Sequence, residues 1–463
     1  MRRVIMEIQL QLVIKRGDGT SQRIETLTEL RRGGLSIQTL GLTLAESKDI
    51  LEKIQGVMVD EQAQAHLQKK RACEKCSTLR PIKGGHDLVF RTVFGKCTME
   101  SPRWYDCRCE SGARRSHSPL ALLLPERTTP ELLYLETKYA SLMSYGLSVN
   151  ILSELLPIGK NLNRATVRRH QHEVAERIEK ELGEEQGAFV QGCPRDWGAL
   201  PRPEAPLVVG IDGGYVHARE GDNRKAGWFE VIVGKSGSEK QPDKCFGFVN
   251  SYDTKPRRRI FEVLNSQGMQ NNQQVTFMSD GGDTVRDLQF YLNPESEHIL
   301  DWFHVTMRLT VMKQMTKGLP KDEAPAIDTE LERAKWFLWH GNTHKAGEIL
   351  EEMDWTLEEL VERVSAAKPL HKALREFHTY IQNNIKFIPN YGDRYRHGEV
   401  ISSAFVESTV NQVISRRFVK KQQMRWTQRG AHLLLQTRTK VLNEELRDKF
   451  REWYPNMPEK EAA

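Results

Sequence analysis

The sequence predicts an α/β core on a mixed sheet, interrupted by an all-helical insertion and preceded by a cysteine-bearing segment and a helix pair. Three observations carry this. Between Pro206 and Val305, apolar runs and amphipathic stretches follow one another in the order β-β-β-α-β-α-β. From Val305 to Ile401 the pattern is mostly helical. Upstream, two cysteine pairs bracket a hairpin-like segment within residues 66–118.

At 463 residues the chain is too long for one ordinary core and implies three or four structural units. Hydrophobic residues make up 38% and charged residues 28%, so globular folding with a heavily charged surface is expected. No apolar run reaches the roughly 18 residues that span a bilayer, and no membrane partner is expected. The first residues are basic, then alternate apolar with polar and are broken by Lys15 and Arg16. That reads as a strand and turn rather than a signal peptide, so the expected location is the cytoplasm, with the nucleoid. The net charge of +6 is a modest pointer to a polyanion. Its distribution says more. From Ser408 to Lys440 there is no acid, yet the stretch holds Arg416, Arg417, Lys420, Lys421, Arg425, Arg429, Arg438 and Lys440. A solvated helix face usually mixes signs, so a one-signed stretch favours a phosphate-tracking surface over a bland basic one.

Residues 1–65 read as a hairpin turning at Gly17-Asp18-Gly19, then a helix from Thr43 to Gln64. Residues 66–118 carry Cys73, Cys76, Cys97, Cys107 and Cys109. Two pairs around a hairpin form the layout of a zinc ribbon, because four thiolates close a tetrahedral shell around structural Zn²⁺. The expected ligands are Cys73, Cys76, Cys107 and Cys109. The second pair is C-x-C, tighter than usual, so Cys97 or His86 is an alternative fourth ligand, and reduced, non-ligating cysteines are the competing reading. Residues 128–182 read as a helix-turn-helix. The chain breaks at Pro157–Asn161, Asn163 caps the second helix, and Arg164, Arg168 and Arg169 lie on its exposed side. A plain helix pair with surface arginines gives the same pattern. Residues 183–206, rich in Gly and Pro, form a linker.

The core occupies residues 207–310 and 395–445, and residues 311–394, with Trp336, Trp339 and Trp355, form the helical insertion. Three strands in a meander followed by two crossovers is the order of a ribonuclease H-like core. In it the first and fourth strands are parallel neighbours. Asp212 and Asp280, each read as a strand end before Gly-Gly, then lie together. A single Asp-Gly is ordinarily just a turn. Two carboxylates at adjacent strand ends repel unless a hard cation such as Mg²⁺ or Mn²⁺ sits between them. The third ligand is expected from the helix ISSAFVESTVNQVISRRFVKKQQMRW, whose one acid is Glu407, with Asn411 a turn later. A lone Glu near a helix start is otherwise a dipole or capping interaction.

Taken together, GIDGGYV, FMSDGGDTVRDLQ, LDWFHVTMRL and FVESTVNQVISRRFVKKQQMRW resemble bacterial insertion-sequence transposases of the ISKra type, a DDE family related to the Mutator-like enzymes. The resemblance spans nearly the whole chain. It implies that Asp212, Asp280 and Glu407 are the catalytic triad holding two Mg²⁺ or Mn²⁺ ions, and that Asp301 and His304 form a C/D-x-x-H signature. Asp301, His304 and Asn411 would stand behind the metal ligands and position them, although His304 also reads as a packing histidine at a helix start. The implied reaction is metal-dependent cleavage at element ends, then attack of the freed 3′-OH on target DNA. The partners are double-stranded DNA, as terminal repeats and as target, and further copies of the chain on that DNA. Lys255, Arg257, Arg258, Arg259, Arg416, Arg417, Lys420, Lys421 and Arg425 are the expected phosphate contacts, and Arg164, Arg168 and Arg169 the readers of the repeats. Two other functions stay open: a nuclease on the same core that never joins ends, and a DNA-binding protein without catalysis.

Overall fold

A ten-residue strand β1 (Met6–Lys15) pairs antiparallel with β2 (Gln22–Arg32), and the 27-residue helix α1 (Leu44–Lys70) follows. Thr43 starts α1 with a reciprocal cap: its hydroxyl accepts from the Glu46 amide while the Glu46 carboxylate takes the Thr43 amide. Strands β3 (Ile82–Thr92) and β4 (Gly95–Tyr105) form an antiparallel hairpin, extended by the short β5 (Ser116–His117). Alternate β4 residues Cys97, Met99 and Ser101 turn inward, as the two-residue period of a strand requires. Leu88, Trp104 and Met99 bury there with Ala63 and Leu67 of α1. Next come α2 (Pro119–Leu123), α3 (Pro130–Leu142), α4 (Tyr145–Leu155) and α5 (Arg164–Glu181). Leu132, Ala140, Leu152, Leu162 and Val167 form the core of these helices.

The computed structural model describes every residue except 1–5, 16–21, 35, 110–114, 160–161, 202, 204, 220–226, 238–241, 419–423 and 459–463, and every described side chain except those of residues 22, 283, 284, 404, 405 and 407. The chain divides into two units, Met1–Val174 with Glu445–Ala463, and Ala175–Glu444. Among the described residues no helix is long and apolar enough to cross a membrane.

The second unit contains the short α6 (Pro194–Gly198) and then the strands β6 (Leu207–His217), β7 (Trp228–Gly237) and β8 (Lys244–Val249). These pair antiparallel in sequence order. Helix α7 (Pro256–Ser266) leads to β9 (Val275–Ser279), and α8 (Asp283–Arg286) leads to β10 (Ser296–Leu300). β9 runs parallel to β6, and β10 parallel to β9, so the sheet order is β10-β9-β6-β7-β8. Leu207, Val209 and Ile211 of β6 face one core with Ile260 and Leu264 of α7. By the strand period, Asp212 and Gly214 face the opposite side.

Beyond β10, α9 (Trp302–Thr316), α10 (Ala324–Trp339), α11 (Thr343–Arg363) and α12 (Lys368–Asn383) share an apolar core running from Leu300 through Leu331, Leu350 and Leu374 to Ile381. Helix α13 (Tyr391–Arg396) ends this body, and the Tyr391 hydroxyl donates to the Leu300 carbonyl at 2.7 Å. The chain then re-enters the sheet unit as α14 (Ala404–Val410), one π-helical turn at Asn411–Ser415, α15 (Arg416–Phe418) and α16 (Gln428–Leu442). The sequence led us to expect one amphipathic helix here. Helical structure does run on from Ala404 to Phe418, with the π turn inside it, and beyond the expected helix α16 lies against β8 with Gly430–Thr439 all buried.

That burial revises the reading of the acid-free stretch. Arg438 is interior and donates from Nε to the Val413 carbonyl at 2.9 Å, and from Nη2 to Gln412. A π turn displaces carbonyls from their usual partners, and this guanidinium serves them. Burial pulls Arg438 down to about 10, with Arg417 adding to the effect.

Arg259, expected on DNA, is also interior. Its five N–H donors go to Asp253, Glu179 and Gln436. The sequence offered a run of three arginines, and one helix face of that run is core. Burial alone would push Glu179 up, but His432 and Arg259 hold it down at about 2. Its stabilising share is therefore present above the unfolded carboxylate range and is lost as pH falls from about 4.5 towards about 2. Arg259→Met leaves Asp253 and Glu179 buried without their cation. We expect it to cost about 3–5 kcal/mol in urea unfolding of this unit at pH 7. A midpoint equal to the parent's would overturn that assignment.

Candidate active site and metal centres

The parallel register between β6 and β9 ends at Gly210 opposite Met278. Two residues past that last pair stand Asp212, still on β6, and Asp280, the residue that follows β9, so both aspartates lie just beyond the end of one parallel ladder. The two aspartates reach this place differently from expectation. Asp280 does follow the last residue of β9. Asp212 instead lies inside β6, whose pairing with β7 continues to His217. Gly213 and Gly214 do not end the strand. A Cβ at Gly214 would lie 2.6 Å from Ile414 Cδ1, so glycine lets the π turn close on the sheet.

Asp212 is half-buried, and burial is the main force raising its pKa. The Gly213 amide and His304 oppose the rise, while the charges of Asp280 and Asp301 add to it. Four ionisable groups therefore share one electrostatic site. Asp280 is fixed by the Gly282 amide at 3.0 Å, and the loop bends through Gly281 at φ +86°. A side chain at 281 would meet Asn384 at the end of α12, so the helical body touches the loop that carries Asp280.

Asp301 is fully buried at 0% exposure, and its oxygens are committed. They accept from the Phe303 amide at 2.9 Å, the Ser403 amide at 2.9 Å and the Ser403 hydroxyl, and His304 Nε2 lies 3.5 Å away. A carboxylate with these partners fastens structure rather than offering lone pairs to an ion. It caps α9 and anchors the residue just before α14. The far end of α14 is held too, with Val410 Cγ1 at 3.8 Å from the Cβ position of Gly214. Glu407 lies four residues after Ser403 and three before Val410, on the same face of a helix that crosses β6 and β7. Its side chain is outside the described residues. Asn411 opens the π turn and is exposed.

Among the expected phosphate contacts, Arg416 and Arg425 are exposed. Lys420 and Lys421 lie outside the described residues. Arg417 is buried and stacks over Trp426 at 5.1 Å, so it faces the interior rather than DNA. Lys255 donates to the Gly183 carbonyl at 2.6 Å, Arg257 to Gly187 at 3.2 Å, and Arg258 to Leu182 at 2.9 Å. These cations bind the segment after α5, a use that sequence spacing alone does not reveal. In the first unit, Thr166 donates to Asn163 at 2.9 Å, so Asn163 caps α5. Arg164, Arg168 and Arg169 are exposed on α5, Arg169 paired with Glu173 at 2.8 Å. The connection from Leu156 to Asn163 is longer than the roughly three- or four-residue turn of a compact helix-turn-helix.

The sulfurs of Cys73, Cys76, Cys107 and Cys109 all lie within 4.8 Å of one another, the shortest pair at 3.3 Å. Four thiolates at about 2.3 Å from a tetrahedral Zn²⁺ stand about 3.8 Å apart, so the group is shaped for that ion. Thr78 pulls the Cys76 thiol down to about 6, whereas its three sulfur neighbours push Cys109 up. Four thiols this close ionise together only around a cation. Cys97 is inward on β4 and His86 exposed on β3, and neither belongs to the group. A second trio, Glu179, Asp253 and His432, also has ligand spacing. There Arg259 already bridges the two carboxylates, so no ion is called for.

No protein-family model matches the sequence, and no curated protein does. Among solved structures, the Drosophila P element transposase strand transfer complex aligns with 73% of this chain and 95% of its own, at 11% identity and a TM-score of 0.31.

Proposed function

We propose that this chain is a DDE transposase of the ISKra type on a ribonuclease H-like core, cleaving DNA at the ends of its element and joining the freed 3′-OH to target DNA. One observation carries the reading: Asp212 on β6 and Asp280, the residue that follows the parallel neighbour β9, lie just past the end of one ladder and feel each other's charge, beside the helix that carries Glu407. The order β10-β9-β6-β7-β8, antiparallel then parallel about β6, supports the core assignment. Two Mg²⁺ or Mn²⁺ ions held by Asp212, Asp280 and Glu407 would stabilise the attacking and leaving oxygens of an in-line displacement at phosphorus.

The protein's own groups have separable tasks. Asp212 and Asp280 present paired negative charge that a divalent cation relieves. Asp301 fastens the start of α9 to Ser403, the residue just before the helix that carries Glu407. His304, beside Asp301, adds positive charge when protonated and lowers the cost of ionising Asp212. The four-cysteine group is read as a structural zinc ribbon, and exposed Arg164 and Arg168 on α5 as readers of the repeats.

The test is a joining assay. The purified chain with Mg²⁺ or Mn²⁺ is given a precleaved duplex from the DNA flanking its gene and a supercoiled target plasmid. We expect plasmid carrying one or two covalently joined ends. Nicked or cut DNA without joined product assigns a nuclease on the same core. Tight end binding with neither product assigns a non-catalytic DNA-binding protein.

A further inference from the structure

Arg308 stands apart from the carboxylates of the site, yet its position is specific. It lies one turn after His304 on α9, so the two residues share a helix stripe that begins at Asp301. It is exposed, and among the described residues no carboxylate pairs with it. Its guanidinium is nevertheless held, 4.3 Å over the ring of Tyr380 on α12. The same turn of α12 reaches the catalytic loop, because Asn384 donates to the Tyr380 carbonyl at 2.9 Å while its oxygen fills the space above Gly281. Burial raises the Tyr380 hydroxyl pKa, Arg308 opposes that, and the charges of Asp280 and Asp301 both reach it. An arginine held against an aromatic ring loses side-chain freedom, and its five N–H donors exceed what one tyrosine can take, which suits bidentate contact with a phosphate.

We propose that Arg308 grips a DNA phosphate next to the bond addressed by Asp212 and Asp280, with Tyr380 of the helical body as its platform. This rests on the DNA-cleaving reading above. It gives the insertion a direct part in substrate positioning, and it commits Arg308 to the sugar–phosphate backbone rather than to a base.

Salt dependence of binding to a short nonspecific duplex, single-turnover cleavage of flanking DNA, and the Mn²⁺-induced thermal shift of the DNA-free protein form the test. Arg308→Ala should lower the slope of log affinity against log salt by about one. It should also slow cleavage by about tenfold or more, leaving the Mn²⁺ shift as in the parent. Arg308→Lys should recover the salt slope but not the rate, because an ammonium keeps the charge and loses the stacked fork. An unchanged slope for Arg308→Ala overturns the proposal. So does loss of the Mn²⁺ shift, which would show Arg308 acting through the carboxylates. A reduced slope in a protein that never cuts DNA upholds the phosphate contact while removing the transposase reading.

Discussion

Asp212→Asn should abolish cleavage and joining, by about a thousandfold or more, while binding to flanking DNA stays within about twofold. The amide keeps the shape and removes the charge that a divalent ion requires. A stability signature accompanies the loss. Burial raises the Asp212 pKa, so the folded chain binds that proton more tightly than the unfolded chain does. The wild-type fold is favoured at this residue below the unfolded value of about 3.9 and loses that advantage as pH rises through the raised one. Asp212→Asn should therefore melt higher than the parent at neutral pH without metal, and the gap should close on acidification. Mn²⁺ should raise the parent's melting temperature and leave the variant's nearly unmoved. Wild-type cleavage by Asp212→Asn would end the catalytic assignment. A variant less stable than the parent at neutral pH would contradict the electrostatic account.

Loss of the four-cysteine centre should have the second largest effect. Cys76→Ser with Cys107→Ser removes one thiolate from each pair. Structural zinc contributes on the order of 10 kcal/mol of folding free energy in small ribbons. Metal analysis should find one zinc per chain in the parent and none in the double variant, with rapid proteolysis within residues 66–118. Cys97→Ser should retain its zinc, since Cys97 is a β4 core residue outside the group. Equal zinc content in parent and double variant would remove the metal from this segment altogether.

Periodicity and spacing account for what was readable beforehand. The three-strand meander and two crossovers were legible because short apolar runs separated by turn residues leave few alternatives. The cysteine group was legible because thiolate pairs around a hairpin have one common use, and in the fold the tight C-x-C still brings Cys109 beside Cys73 at 3.4 Å. Asp212 was misplaced within its strand for a physical reason. Gly-Gly signals a turn in sequence, but here it makes room for Ile414, which comes 200 residues later in the chain. Charge was the least readable property. Arg259 looks like its neighbours, and its partner Glu179 lies 80 residues away. Arg438 belongs to a basic run, yet it answers carbonyls freed by a π turn that nothing in the local pattern announces.

The fit of Asn384 against Gly281 ties two layers of the protein to one another. The helical body is reached from the loop that carries Asp280 through that contact and through Tyr391 on the Leu300 carbonyl, so it is not an appendage on a tether. Excising it and splicing in a short linker would strip the Asp280 bend of its backing. Its length is therefore better understood as scaffolding that the sheet cannot supply from its own edge.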